Sequence, residues 1–195
     1  MASRLLCMVA VLFFCNVFVA RAQKGNNELQ IAGQLSFPIG DLAELAKRGH
    51  GFSAKGLWGV GKASQQITTE VGYSFLNLKD KWLTDGVSAY YGGFVLYSGY
   101  RYKWQNFFVE PQAGVAFYSI DGFNSLTVNG IEETKTYFDW ALGTGYSLGH
   151  LDLAIRYQSA QVKNSKDINF IALRLGYKFF ISQKAKTAND EADRF

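Results

Sequence analysis

The sequence predicts an all-β protein, an eight-stranded antiparallel up-and-down transmembrane β-barrel. Three observations lead to this fold class. Within residues 88–181, every second residue of five consecutive stretches is apolar or aromatic, as expected of strands whose side chains alternate between two faces. The opposite face mixes small, polar and charged residues, which is typical of membrane-spanning barrels rather than soluble sandwiches. Beyond the first 22 residues, no segment has the ~20 apolar residues of a membrane-spanning helix, so only a closed barrel could cross.

The N-terminus predicts export. Arg4 precedes an apolar run over 5–19 that only Asn16 interrupts. Ala20-Arg21-Ala22 then offers small residues at the two positions that a signal peptidase reads, so we expect a signal peptide over 1–22, cleaved before Gln23. The barrel domain follows over 23–181, and a polar periplasmic tail over 182–195.

Composition excludes several classes of protein. Both cysteines, Cys7 and Cys15, lie in the predicted signal peptide, so disulfides, thiolate metal sites and cysteine nucleophiles are excluded from the mature chain. Lipidation at Cys15 is disfavoured because Phe14 is too bulky for a lipobox. Without Arg4 and Arg21, the 20 bases fall to 18 against 16 acids. No basic cluster lies beside stacking aromatics, so we expect no nucleic-acid binding.

The alternating pattern places eight strands along the chain. The predicted strands are approximately 28–37, 51–62, 66–76, 88–103, 106–119, 135–148, 151–161 and 168–181. Connections near 63–65, 104–105 and 149–150 are short, whereas the other four are longer and more polar. Short turns on one side and long loops on the other are typical of outer-membrane barrels, with the short side periplasmic. An even strand count then leaves both termini in the periplasm.

Eleven charged residues fall on one predicted face of the strands. The inward set is Glu28, Lys55, Glu70, Arg101, Lys103, Glu110, Asp139, Asp152, Arg156, Arg174 and Lys178. The outward set carries large apolar side chains instead, such as Leu173 and Leu175 on the last strand. An Arg or Lys in the lipid-facing wall costs roughly 2–4 kcal/mol at the bilayer midplane, so a barrel wall demands this separation. Aromatic residues collect near the predicted strand ends, as in interfacial girdles.

Several short stretches resemble a known family. FFVEPQAGVAF (107–117) after YSGYRYKW (97–104) is similar to the central hairpin of Gram-negative outer-membrane β-barrel proteins of the "porin family". PIGDLAE (38–44) and the closing LRLGYKFF (173–180) fit the same family. The resemblance implies the eight-stranded architecture of the OmpA barrel and OmpX, and location in the outer membrane. One departure is the segment 182–195 after the last strand, where many relatives end on a terminal aromatic.

Five charged residues form the candidate site, a predicted charge network in the lumen. Glu70, Glu110, Arg156 and Arg174 should lie at similar heights in the middle of the barrel, and Asp139 belongs to the same network. A gate or selectivity ring is one interpretation, and a plug of satisfied ion pairs is the other. Eight strands leave an interior just wide enough for side chains to fill, which favours the plug.

Other motifs predict no chemistry. Gly143-Thr144-Gly145 lies inside a strand rather than at a strand-to-helix turn, so it is not a dinucleotide fingerprint. His50, in the first long loop, and His150, in a short turn, should lie at opposite ends and share no metal. Neither histidine has a Ser and a carboxylate in strand register, so we expect no enzyme. We also expect no cofactor.

Two loops carry local structure. Asp41-Leu42-Ala43-Glu44 resembles a capping box and predicts a short helix in the loop 38–50, ended by Gly49. Asn129-Gly130 predicts a hairpin turn within 120–134, where strands would extend past the membrane.

The pattern favours a non-enzymatic outer-membrane barrel with an envelope-structural or surface-interaction role. A small-solute pore is the alternative, and a soluble lipocalin-like binder is a third hypothesis. A lipocalin would need an apolar interior and a polar exterior, the reverse of the observed pattern. Expected partners are outer-membrane lipid, lipopolysaccharide and the outer-membrane assembly machinery, with the barrel a monomer.

Overall fold

Eight antiparallel strands follow one another along the chain and close into a barrel, β1 pairing with both β2 and β8. The computed structural model describes residues 27–60, 64–79, 88–123, 135–162 and 167–181. The strands are β1 (Glu28–Ile39), β2 (Ala46–Gly59), β3 (Gln65–Leu78), β4 (Ser88–Trp104), β5 (Phe107–Phe123), β6 (Lys135–Leu148), β7 (Leu151–Gln161) and β8 (Ile168–Phe180), and one helix, α1 (Leu42–Leu45), lies between β1 and β2. The predicted eight-stranded barrel is confirmed.

The two ends of the barrel differ in their connections. At one end, called the short-turn end, residues 60–64, 105–106 and 149–150 join β2 to β3, β4 to β5 and β6 to β7. The chain also enters and leaves there, and the Ile181 amide donates to the Asn27 carbonyl over 2.9 Å. Gln105 and Gly149 reverse the chain with φ of 55° and 58°. At the opposite end, called the long-loop end, β1, β3, β5 and β7 finish and β2, β4, β6 and β8 begin, and the sequence between these strands spans 40–45, 79–87, 124–134 and 162–167.

The first long loop is shorter than predicted. β2 begins at Ala46, so the predicted start of this strand at 51 was wrong, as was the placement of His50 in a loop. α1 ends at Leu45 because the chain there turns into the extended strand, and Gly49 lies within β2, opposite Leu76. The predicted capping box was also wrong, since Asp41 makes no side-chain capping hydrogen bond. A buried Leu42 fixes α1 over the barrel instead.

The outer wall of the barrel is apolar. Ile31, Phe52, Leu153 and Leu175 each expose more than half of their surface. Charged residues are exposed on strands at the long-loop ends of β2 and β6, where Lys47, Arg48 and Lys135 lie. An exposed ring of aromatics lies toward the short-turn end of the wall, as the girdle interpretation predicted. Its members are Tyr100, Tyr102, Trp104, Phe107, Tyr177 and Phe179.

The barrel is taller on one side. β4 and β5 each have 17 residues, against 11 for β7. β5 pairs with β4 as far as Phe123, which agrees with the predicted extension of the strands toward 120–134. The predicted Asn129-Gly130 turn, the signal peptide 1–22 and the tail 182–195 lie outside the described residues. Within the part of the chain that the structure describes, no helix has the length and apolar character needed to cross a membrane.

Candidate functional site: the barrel lumen

Charged side chains fill the middle of the lumen. Alternation places one residue in two of each strand inside, and ten of the eleven charges predicted inward are at most 6% exposed. Lys103 is the eleventh, with 18% of its side chain exposed near the short-turn end. The predicted register is therefore correct along all the strands that carry these charges. Buried charges are stable only when they are paired and hydrogen-bonded, so their partners determine what the lumen can do.

Glu70 on β3 is the centre of the lumen. Its Oε1 lies 2.9 Å from Arg156 Nη1 and 2.7 Å from Arg174 Nη2. Lys55 Nζ lies 3.1 Å from Oε2, and the Gln112 side-chain amide donates to the same oxygen over 2.9 Å. Four side chains from β2, β5, β7 and β8 thus converge on one carboxylate, and they join opposite sides of the barrel.

Glu110 on β5 is linked to this centre through Lys55. Its Oε1 lies 2.5 Å from Lys55 Nζ, and its Oε2 lies 2.6 Å from Arg101 Nη2. Arg156 and Arg174 both bind Glu70 rather than Glu110. Arg101 faces Glu110 from the neighbouring strand β4, and Lys55 reaches Glu110 from β2 across the lumen.

The ion pairs continue toward the short-turn end. Arg101 Nη1 lies 2.6 Å from Asp152 Oδ2, and Lys178 Nζ lies 2.7 Å from Asp152 Oδ1. Arg101 also stacks on the Phe108 ring, with its Cζ 4.0 Å from the ring centroid. At the mouth itself, Lys103 Nζ lies 3.4 Å from Glu28 Oε1. Charged groups therefore follow one another from the short-turn mouth to Glu70 in the middle of the lumen.

Asp139 is set apart from the ion pairs. Its Oδ2 accepts a hydrogen bond from the Tyr118 hydroxyl over 3.1 Å and from Gln158 Nε2 over 2.9 Å. Gln158 Oε1 in turn accepts from Arg156 Nη2 over 2.9 Å. Of the five residues of the candidate site, the structure brings Glu70, Arg156 and Arg174 into direct contact. Glu110 and Asp139 each lie one side chain away.

Sequence reasoning placed Lys55, Arg101 and Asp152 inside the barrel but did not include them in the central network. Lys55 bridges the two glutamates, and Arg101 bridges Glu110 and Asp152. Two of these contacts join neighbouring strands. Lys55 is the register partner of Glu70 in the β2–β3 hairpin, and the β4–β5 register sets Arg101 opposite Glu110, so the alternation combined with the short turns was a signal that could have found them. The contacts of Lys55 with Glu110 and of Arg101 with Asp152 join strands that are not neighbours, and alternation gives the face of a residue and not its height relative to a distant strand.

An apolar layer closes the lumen at the long-loop end, and sequence reasoning missed it. Leu76, Phe170 and Ala172 are fully buried there, and Leu42 of α1 completes the layer from above. Its other members are Ala46, Val95, Tyr97, Ala116, Tyr118, Ala141, Ala160 and Ile168. The available signal was that Ile168, Phe170 and Ala172 share the face of Arg174. Water and ions entering from the short-turn end meet this layer before the long loops.

Little free space remains between the charges. A cavity of about 20 Å³ lies in the middle of the lumen, bordered by Lys55, Arg101, Glu110, Arg156 and Gly143. That volume accommodates about one water-sized molecule. Gly143 and Gly145 both lie within β6 on the lumen side. A Cβ at Gly145 would come within 2.7 Å of the Phe108 ring, so this glycine makes room for a neighbouring side chain.

The two histidines lie at opposite ends of the barrel. His50 is on the outer wall of β2, edge-on to Phe75 with ring centroids 4.1 Å apart. His150 is in the turn between β6 and β7, and its Nδ1 lies 2.9 Å from the Lys178 carbonyl oxygen. Among the residues that the structure describes, no group of three or more His, Cys, Asp or Glu side chains could hold a metal ion.

Comparison with known proteins relates the chain to others through its fold. No protein-family model matches the sequence, and a search of curated proteins finds no match. Solved structures do match. Ail, the attachment invasion locus protein of Yersinia pestis, solved with the heparin analogue sucrose octasulfate, aligns with a TM-score of 0.59 and 12% identity over 80% of this chain and 100% of Ail.

Two further barrels align over the same share of the chain. The N-terminal β-barrel domain of Pseudomonas aeruginosa OprF gives a TM-score of 0.54 at 12% identity, covering 80% of this chain and all of that domain. Neisserial surface protein A gives 0.54 at 14% identity, covering 80% of this chain and 99% of its own. The chain therefore has the eight-stranded barrel fold found in outer-membrane proteins of Gram-negative bacteria.

Proposed function

We propose that this chain is a non-enzymatic integral protein of the outer membrane, with an envelope-structural or surface-interaction role and a lumen filled by side chains. The observation that carries the proposal is the inverted distribution of residues. Leu173 and Leu175 expose 45% and 58% of their surface on the outer wall, while Arg174 between them is 6% exposed inside. In water, such a wall would be an apolar patch far larger than soluble proteins tolerate. In a bilayer, it is the lipid-facing surface.

The filled lumen supports a structural role over transport. Glu70 and Glu110 are each bound by one cation from a neighbouring strand and by at least one cation from across the lumen. The free space among these groups is about 20 Å³, roughly one water molecule. The apolar layer around Leu76 and Phe170 closes the long-loop end. A continuous column of water would require several of these contacts to break together.

The predicted signal peptide and the even strand count give the orientation. Export through a cleaved signal leaves the N-terminus in the periplasm, so the short-turn end faces the periplasm and the long loops face outward. Surface loops usually carry the recognition functions of such scaffolds. The partners we propose are outer-membrane lipid and lipopolysaccharide around the wall, with the outer-membrane assembly machinery inserting the chain as a monomer.

A small-solute pore is the second candidate. The observation that favours it is the polar half of the lumen, where charged groups continue from Glu28 and Lys103 at the mouth to Glu70 in the middle. Rings of charged side chains are one way in which pores select ions. A lipocalin-like binder is disfavoured, because its wall and its interior would have the opposite polarity.

Membrane fractionation followed by a gel with boiled and unboiled samples tests the proposal. The protein should be found in the outer-membrane fraction, and the unboiled barrel should migrate differently from the boiled chain. If the band of the folded protein persists on heating and is lost only on boiling, the barrel is closed and highly stable. Recovery of the mature chain in the detergent-free periplasmic extract, with identical migration of both samples, would contradict it.

A further inference from the structure

The charges inside the barrel do not balance. Among the described residues, the lumen holds the bases Lys55, Arg101, Lys103, Arg156, Arg174 and Lys178 against the acids Glu28, Glu70, Glu110, Asp139 and Asp152. One positive charge is therefore left over when all of them are ionised. The outer wall cannot supply a counter-ion, because it is apolar. An uncompensated buried charge is strongly destabilising.

The small cavity lies among cationic side chains. Its lining includes Lys55, Arg101, Arg156 and Arg174, together with the acids Glu110 and Asp152, and Glu70 binds three of these four cations from outside the lining. Arg156 is one of the four, and it is 3% exposed. Its Nη1 donates to Glu70 and Gln112, and its Nη2 donates to Gln34 and Gln158. Its Nε is buried and has no hydrogen-bond acceptor within the described residues.

We propose that this cavity binds one small monovalent anion of the halide class. A single negative charge there would neutralise the lumen, and a water molecule in the same place would leave the excess charge unbalanced. The volume of about 20 Å³ corresponds to about one water-sized sphere, so a monatomic anion fits it better than polyatomic anions such as sulfate or gluconate. The anion would exchange through the short-turn end, because the apolar layer that includes Leu76 and Phe170 closes the other end.

Two glycines provide a matched pair of variants. Gly143 borders the cavity, and a Cβ built on it meets nothing closer than the Glu110 carbonyl oxygen at 3.7 Å. Gly143→Ala should therefore place a methyl group in the anion's space without a clash and without changing any charge. Gly33 lies on the outer face of β1, where a Cβ meets nothing within 4 Å. Gly33→Ala is the control for the same substitution in a strand.

The experiment measures the thermal unfolding midpoint of the purified protein in detergent, in sodium gluconate and in sodium chloride at equal ionic strength. An anion that binds only the folded barrel raises the midpoint as its concentration passes the dissociation constant. We expect a rise of about 3 °C or more in chloride and bromide for the wild type and for Gly33→Ala. Gly143→Ala should show less than a third of that rise.

Crystals grown in bromide should also show an anomalous peak between Arg101 and Arg156 in the wild type and none in Gly143→Ala. Two results would overturn the proposal. One is an identical midpoint of the wild type in chloride and gluconate. The other is an undiminished halide response in Gly143→Ala, since that would place the anion elsewhere or show a general salt effect on the folded protein.

Discussion

Arg174 Nη2 donates a hydrogen bond to Glu70 Oε1 over 2.7 Å, although the two residues are 104 positions apart in the chain. They belong to β8 and β3, which are not neighbours in the sheet, so the bond crosses the lumen. Arg156 of β7 reaches the same carboxylate. The contact therefore braces the barrel from inside, in addition to the ladders of backbone hydrogen bonds in its wall.

Replacing the Glu70 carboxylate should lower the stability of the folded barrel. Glu70→Gln would leave the charges of Arg156 and Arg174 without their acid, and removing one partner of a buried ion pair costs about 3–5 kcal/mol. We expect a clearly lower temperature for conversion of the fast-migrating to the slow-migrating band on a gel. Glu110→Gln should lower this conversion temperature less, because Arg101 keeps Asp152 as a partner at 2.6 Å.

The double variant Glu70→Gln with Arg174→Gln is the control. It removes an acid and a base together, so its conversion temperature should lie above that of Glu70→Gln alone. An unchanged conversion temperature in Glu70→Gln would show that the cluster does not brace the barrel.

The lipid-facing character of the outer wall can be tested by placing an arginine at two different depths in the bilayer. Leu173 is 45% exposed in the middle of β8, and Leu151 is 44% exposed at the short-turn end of β7. Arg costs about 2–4 kcal/mol at the bilayer midplane and about 0–1 kcal/mol near an interface. Leu173→Arg should therefore reduce the amount of folded barrel in the membrane fraction strongly, and Leu151→Arg only slightly. Equal yields of the two variants would argue against a lipid-facing wall.

The strands pack so closely at Gly114 that a larger residue there should destabilise the barrel. A Cβ on Gly114 of β5 would overlap the Leu96 carbonyl oxygen, which is backbone and cannot move aside. Gly114→Ala should lower the unfolding midpoint by several degrees, since overpacking typically costs about 1–3 kcal/mol. Thermal unfolding beside Gly33→Ala, which meets nothing within 4 Å, measures the effect. Equal midpoints would show that the strands are further apart at this position.

The orientation can be tested with single cysteines, because both native cysteines lie in the predicted signal peptide. A membrane-impermeant thiol reagent on intact cells should label Glu44→Cys, which is on α1 at the long-loop end. It should label Gln105→Cys, in the turn between β4 and β5, only after the outer membrane is opened. Labelling in the reverse order would invert the proposed topology.

The alternation of apolar and polar residues along each strand made the lipid-facing wall predictable from the sequence. A single-residue slip exchanges the two faces of a strand, so Leu173, Arg174 and Leu175 had only one arrangement compatible with a lipid-facing wall. The inward positions of the eleven charges predicted to lie in the lumen followed from the same rule. Strand bounds were least predictable where the pattern is interrupted, as at Gly49 and His50, which belong to β2.

Contacts across the lumen were not predictable in the same way. Lys55 lies opposite Glu70 in the register of β2 and β3, but it meets Glu110 only because of the heights that the closed sheet gives to β2 and β5. Those heights depend on the register of every strand pair around the barrel. The apolar layer at the long-loop end was not predicted, for a related reason. Phe170 lies on the same face as Arg174, and only the barrel's closure shows that such inward apolar residues collect at one end.

Single-channel recording in planar bilayers is the most direct test of a filled lumen. Insertion is verified first, by the mobility shift of unboiled protein recovered from lipid vesicles. With Glu70 and Glu110 paired as observed, the wild type should show no steady conductance, or only rare small openings. Glu70→Gln with Glu110→Gln should open more often, because both anchors of the lumen cations are removed. A stable, ohmic and ion-selective conductance in the wild type would contradict the filled lumen and establish the pore.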